Sequence, residues 1–107
     1  MASPAAQDAV FAALSDPTRR TLMKLLDEAG PATPTELAAR LPVSRQAVAK
    51  HLGSLAGAGL VESSRSGREV RYRLTPEPLS DAVAWMADVG AQWDTRLAAL
   101  ERALMKP

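Results

Sequence analysis

The sequence predicts a mainly α-helical domain built from a helix-turn-helix, one β-hairpin and a long C-terminal helix. Three stretches predict it. Residues 34–61, PTELAARLPVSRQAVAKHLGSLAGAGLV, read as two short helices joined by a tight turn. Residues 60–74, LVESSRSGREVRYRL, carry a Ser66-Gly67 turn signal, and Val70, Tyr72 and Leu74 alternate with Glu69, Arg71 and Arg73 at a period of two. Residues 79–105 contain no proline and repeat apolar side chains in steps of four and three.

At 107 residues the chain is expected to form a single domain over 1–107, large enough for a modest core. It has no cysteine, which excludes disulfides, thiolate metal sites and cysteine nucleophiles together. No apolar run approaches the length of a membrane span. Neither an export signal nor a lipidation motif is present at the N-terminus, so a cytoplasmic location is expected. There is no Ser-His-Asp spacing, phosphate-binding glycine loop or paired carboxylate, so an enzyme is not expected, and no cofactor is implied.

Taken in order, residues 1–6 have nothing to pack and are expected to be mobile. Gln7 to Leu14 reads as a short helix with Val10, Phe11 and Leu14 apolar, and Phe11, the lone phenylalanine, anchors either the core or a subunit contact. Asp16 caps a second helix that opens at Pro17 and runs to about Glu28, with Leu22, Leu25 and Leu26 inward. Arg19 and Arg20 sit at the wrong end of that helix for its dipole and are expected to bridge to carboxylates or phosphate. Thr33 and Glu36 form a capping box, which starts a helix at Pro34. Pro42 stops it, because proline lacks the N–H that a helix interior needs. Ser44 caps the next helix, in which Val48, Leu52 and Leu55 make the buried stripe and Gly57 and Gly59 end the run.

The opposite face of that helix presents Gln46, Lys50, Gly53 and Gly57. Arg45 and Gln46 lie in its first turn, where a recognition helix meets base edges. Gln pairs bidentately with adenine, and Arg or Lys with guanine. The hairpin that follows carries arginines at its tip and on its outer face, in the place of a wing. Net charge is only +1, but residues 40–73 hold seven basic and two acidic side chains, a local +5, and the remainder is −4. Such a stripe is the footprint of a polyanion-binding face. The candidate double-stranded DNA contacts are Ser44, Arg45, Gln46, Ala49, Lys50, Arg65, Arg68 and Arg71, with the wing arginines on the backbone or in a narrow minor groove.

In the last helix, Leu79, Val83, Met86, Gly90, Trp93, Leu97, Leu100 and Leu104 form a heptad seam, with Trp85 and Val89 beside it. Gly90 weakens the helix by about 1 kcal/mol relative to alanine. It also marks a place where two helices can approach closely. A helix with two apolar strips packs on its own domain with one and on a second subunit with the other.

The stretches DPTRRTLMKLL, ELAARLPVSRQAVAKHLGSLAGAGLV and GREVRYRL together resemble the ArsR-type winged helix-turn-helix transcriptional regulators over nearly the whole chain. The resemblance implies a homodimeric repressor that dimerises through its first and last helices. Val10, Phe11, Leu79, Val83, Met86, Trp93, Leu97, Leu100 and Leu104 are then the candidate interface. Many members sense metals, and here the sequence departs from them. Their thiolate pair falls at Thr33 and Thr35, and the last helix has Asp81, Asp88 and Asp94 but no histidine. The lone histidine, His51, reads as a packing or hydrogen-bonding residue. No metal site is expected, and the small-molecule inducer is left open. Two alternatives stand beside DNA binding by a repressor: a winged helix used for protein–protein contact, and a regulator with a ligand pocket between dimer helices.

Overall fold

The computed structural model describes residues 4–105. Seven elements follow one another: α1 (Pro4–Leu14), α2 (Pro17–Ala29), α3 (Pro34–Ala38), α4 (Arg45–Gly57), β1 (Val61–Ser66), β2 (Glu69–Leu74) and α5 (Glu77–Met105). The first helix takes in residues 4–6, which were expected to be mobile, because Pro4 is tolerated in a first turn where its missing N–H is not needed. Residues 1–3 of that expected mobile stretch lie outside the described residues.

Local chemistry sets each helix start. Asp16 accepts from the backbone N–H of Thr18 at 2.8 Å and of Arg19 at 3.2 Å, with Pro17 behind it in the first turn. The capping box is complete: Thr33 Oγ1 accepts from Glu36 N–H at 3.1 Å, and Thr33 N–H donates to Glu36 Oε1 at 3.2 Å. Ser44 Oγ accepts from Ala47 N–H at 3.1 Å. Arg19 and Arg20 correct the sequence expectation. Arg19 donates to the carbonyls of Ala13 at 2.7 Å and Ala12 at 3.0 Å, and Arg20 to that of Leu14 at 2.6 Å. These are the last carbonyls of α1, which have no partner within their helix and lie at the negative end of its dipole. The two arginines are therefore C-terminal caps of α1, supplied by α2.

Leu22, Val48, Leu52, Leu55 and Leu60 are fully buried, and Val10, Leu26, Leu37 and Val61 close the core around them. Each such aliphatic side chain contributes roughly 1.5–3 kcal/mol of burial. On α2 the third inward residue is Met23, and Leu25 is only partly buried. Val10 is 2% exposed, so the structure places it in the protomer core, whereas the sequence reading puts it at a dimer interface; its side chain is used up by packing within one chain. Phe11 is half-buried and meets Trp85 edge-on, ring centroids 5.6 Å apart, which clamps α5 to α1 within one chain.

The hairpin pairs antiparallel with Ser66 opposite Glu69 and Val61 opposite Leu74. Its two-residue turn is Gly67-Arg68, one residue later than the Ser66-Gly67 signal suggested. Gly67 has φ +62° and Arg68 does not have positive φ, which suits the turn type with glycine first. A turn centred on Ser66-Gly67 would instead force a positive φ on serine. Ala32 adds a backbone bridge to the outer side of β2, exchanging hydrogen bonds of 3.0 and 2.9 Å with Tyr72. The hairpin's apolar face is buried only at its base, at Val61, while Val70 near the tip is exposed. The tip therefore stands away from the core.

α5 packs chiefly on α1. At 1.5 Å per residue it is about 43 Å long, and the molecule measures 72 × 30 × 21 Å. No described helix is long and apolar enough to cross a membrane.

Candidate nucleic-acid interface

α4 buries Val48, Leu52 and Leu55 at 0% exposure and turns Arg45, Gln46, Ala49, Lys50 and Gly53 to the outside. Its helical period makes this unavoidable once the apolar stripe is seated. The side chains of Gln46 and Lys50 have no hydrogen-bond or ion-pair partner among the described residues. A Cβ added at Gly53 would meet nothing within 4 Å, so the protomer's own packing does not require glycine there. Arg45 is different: its Nε donates to Thr35 Oγ1 at 2.9 Å, which ties the first turn of α4 to α3 and orients the guanidinium. Ser44 uses its oxygen as the cap acceptor and keeps a hydroxyl proton to donate.

The wing arginines fall into two groups. Arg68 occupies the turn, exposed and without a protein partner among the described residues; Arg65 reaches only the Gly67 carbonyl, at 3.4 Å. Arg71 is held on both sides, with Nη1 3.0 Å from Glu36 Oε1 and Nη2 3.1 Å from Glu69 Oε2. Arg73 pairs with Glu62 at 2.6 Å. The expectation that Arg71 is a free phosphate ligand like Arg68 meets this geometry: its charge is already matched inside the protein. Nothing in the period-two pattern could reveal that, because Glu36 is 35 residues away and reaches Arg71 only through the tertiary fold.

Glu36 thus serves the helix cap and the wing at once. Its carboxyl is held below the usual glutamate range, chiefly by the Thr33 backbone N–H and the Thr33 hydroxyl, with Arg71 adding to both. With the Ala32–Tyr72 backbone bridge, these contacts fix the wing against the start of α3. Between them lies an open cleft of about 600 Å³ that Thr33, Thr35, Glu36, Arg45, Arg68 and Tyr72 help to line. Among the described residues no three His, Asp or Glu side chains are grouped to hold a metal ion. Thr33 and Thr35 offer hydroxyls, which do not replace thiolates. His51 is half-buried on the flank of the α4 stripe.

Comparison with known proteins agrees with this architecture. A profile described as a helix-turn-helix domain matches residues 14–64. The chain is 44% identical over 84 residues to the HTH-type transcriptional regulator CmtR of Mycobacterium tuberculosis, covering 78% of this chain and 70% of that one; the solved structure of CmtR is described as that of a cadmium metal sensor. It is 35% identical over 77 residues to the transcriptional repressor SdpR of Bacillus subtilis, covering 72% of this chain and 84% of SdpR. An ArsR-like transcriptional regulator from Rhodococcus sp. RHA1 superposes with a TM-score of 0.80 at 47% identity, covering 92% of each chain. Helix-turn-helix, wing, long last helix and these relatives agree: the chain belongs to the ArsR-type family of winged helix-turn-helix, DNA-binding transcriptional regulators, and is not an enzyme.

Proposed function

We propose that this protein is a cytoplasmic homodimeric repressor that binds an imperfect palindromic operator, including one before its own gene. The observation that carries the reading is the outer face of α4: among the described residues, Gln46 and Lys50 stand exposed and without a side-chain partner beside a wing whose tip residue, Arg68, is equally unpaired. Polar side chains fixed on a rigid helix, with no task inside the protein, suit base edges in a major groove. The apolar seam of α5 supplies the twofold partner. Val83, Met86, Trp93, Leu97 and Leu100 are 46–56% exposed and Leu104 is 77% exposed, an apolar stripe that a monomer would leave in water. Repression follows the likeness to SdpR, which is described as a repressor.

Footprinting on the DNA upstream of the gene tests this reading. The expected result is two protected half-sites centred about one helical turn, or a multiple, apart. Gln46→Ala should weaken operator binding by about 1–3 kcal/mol and relax preference at one base position. If Gln46→Ala and Lys50→Ala together leave affinity and sequence preference unchanged, the α4 face is not the reader. A winged helix used for protein contact would need an apolar patch there, and the exposed residues are Arg45, Gln46, Ala49, Lys50 and Gly53. A ligand-responsive regulator is the second reading. It is favoured by a hollow of about 510 Å³ between α1 and α5, lined by Pro4, Gln7, Asp8, Phe11 and Trp85, at the edge of the dimer seam.

A further inference from the structure

The end of α4 is tied to the root of α5. Gly59 takes φ +74°, and the chain turns there so that Gly59 N–H donates to the Ala56 carbonyl and Leu60 N–H to the Leu55 carbonyl, each at 3.0 Å. This is the glycine-dependent cap that satisfies the last carbonyls of a helix, and Leu60 behind it is fully buried. The carbonyls of Gly59 and Leu60 both go to one residue. Thr75 Oγ1 donates to the Gly59 carbonyl at 2.6 Å, and Thr75 N–H donates to the Leu60 carbonyl at 2.9 Å.

Thr75 and Pro76 are the whole connection between β2 and α5. Pro76 fixes its own φ and restricts the backbone of Thr75, so the link is short and stiff. Pro78 closes it from the α5 side: a Cβ at Gly59 would lie 3.4 Å from Pro78 Cγ. Next along α5, Leu79 packs on the core, Ala82 is fully buried, and Phe11 meets Trp85. Ala82 is the sole buried residue of α5 among the described residues. The helix is therefore an arm, held at its root and standing free beyond.

An arm magnifies a change of angle at its root. The exposed apolar residues from Val83 to Leu104 are centred near residue 93, about 24 Å along the helix from Glu77 at 1.5 Å per residue. A rotation of about 8° at the root displaces that point by about 3.4 Å, the rise of one base pair. In a twofold dimer joined through the arms both roots contribute, and the distance between the two α4 helices changes with them.

We propose that Thr75 is a positioning residue for DNA binding: by joining the end of α4 to the root of α5, its hydroxyl fixes the angle between them, and with it the half-site spacing that the dimer accepts. It acts on the spacing and leaves base preference within a half-site to α4. The inference rests on the homodimeric, operator-binding reading above.

Thr75→Val and Thr75→Ala remove the hydroxyl and keep the backbone bond to Leu60; Thr75→Ser keeps both. Each chain is taken through binding-site selection from random duplex DNA, with sedimentation and circular dichroism alongside. Wild type and T75S should select paired half-sites at one shared spacing. T75V and T75A should select the same half-site sequence at a spacing shifted or spread by about one or two base pairs. On the wild-type spacing they should bind more weakly by about the fivefold that one net hydrogen bond represents. Loss of affinity with no change of spacing would overturn the proposal, as would unchanged spacing and affinity, or T75S behaving like T75V. A wild-type chain that sediments as a monomer at micromolar concentration, or selects no sequence, removes the reading on which the inference rests. A wild-type dimer on paired half-sites whose spacing ignores the hydroxyl removes only the inference.

Discussion

Arg68 and Arg71 lie three residues apart on the wing, and replacing each by alanine separates a phosphate contact from an internal brace. A contact that neutralises one phosphate adds about 0.9 to the slope of log affinity against log salt. Two Arg68 side chains in a dimer therefore add about 1.8. Between 50 and 200 mM salt, a fourfold change, that amounts to roughly a 12-fold difference in how far affinity falls. Arg68→Ala should flatten the slope by this amount on operator and nonoperator DNA alike, because phosphate contacts carry no sequence information. Arg71 already sits within 3.0 and 3.1 Å of two carboxylates. Arg71→Ala should thus change the slope little, while loosening the wing and lowering operator affinity through position. Fluorescence anisotropy over a salt series, on both DNAs, measures the two effects separately. If Arg71→Ala flattens the slope as much as Arg68→Ala, Arg71 swings out to phosphate and its role as a brace is wrong.

Other outcomes follow from the same geometry. Glu36 and Asp16 both titrate below their ordinary values in the folded chain, so their stabilisation is complete above the ordinary carboxylate range and is lost as pH falls through the lowered values; thermal melts of Glu36→Gln should show a smaller loss of stability below about pH 4 than wild type. Leu97 and Leu100 are more than half exposed in the protomer, so glutamate at both should give folded monomers by sedimentation and circular dichroism, and unfolding instead would place them in the core. Zinc, cadmium and arsenite should not release DNA, since the chain has no cysteine and, among the described residues, no three His, Asp or Glu side chains are grouped to hold a metal ion; a stoichiometric site found by calorimetry, with matching loss of DNA affinity, would refute this.

The elements were legible where one stretch of chain decides them. The Thr33–Glu36 capping box, the Ser44 cap and the Val48–Leu52–Leu55 stripe each need only neighbours within a few residues. The hairpin was legible too, but its turn slipped by one residue, because Ser66-Gly67 and Gly67-Arg68 look alike until the backbone must choose where the positive φ goes. Val10 and Phe11 were legible as apolar but not as to what covers them. Adjacent residues on α1 point to different surroundings, one into the core at 2% exposure and the other toward Trp85. The arginines were the least legible class. An arginine at a surface position reads as a phosphate ligand until its neighbours are known. Arg19, Arg20 and Arg71 all found partners inside the protein: helix-end carbonyls in the first two cases, and a carboxylate 35 residues away in the third.

Those partners also connect the wing to α4. Thr33 closes the capping box on Glu36, Glu36 holds Arg71, and Thr35 holds Arg45, so one short turn at the start of α3 positions a residue of the wing and a residue of the first turn of α4. α3 is only five residues long, too short to be stable without such contacts. Its geometry is therefore set by what it touches, and a change at Thr35 should reach both α4 and the wing. Thr35→Val removes the acceptor for Arg45 with little change of shape. It should leave the fold's melting temperature nearly unchanged, because both residues are exposed, yet weaken operator binding by freeing Arg45 to sample other rotamers. Nonspecific binding should be affected less, since Arg45 keeps its charge. Equal loss on both DNAs would mean that Arg45 acts through charge alone and that its hydrogen bond to Thr35 does not orient it for reading.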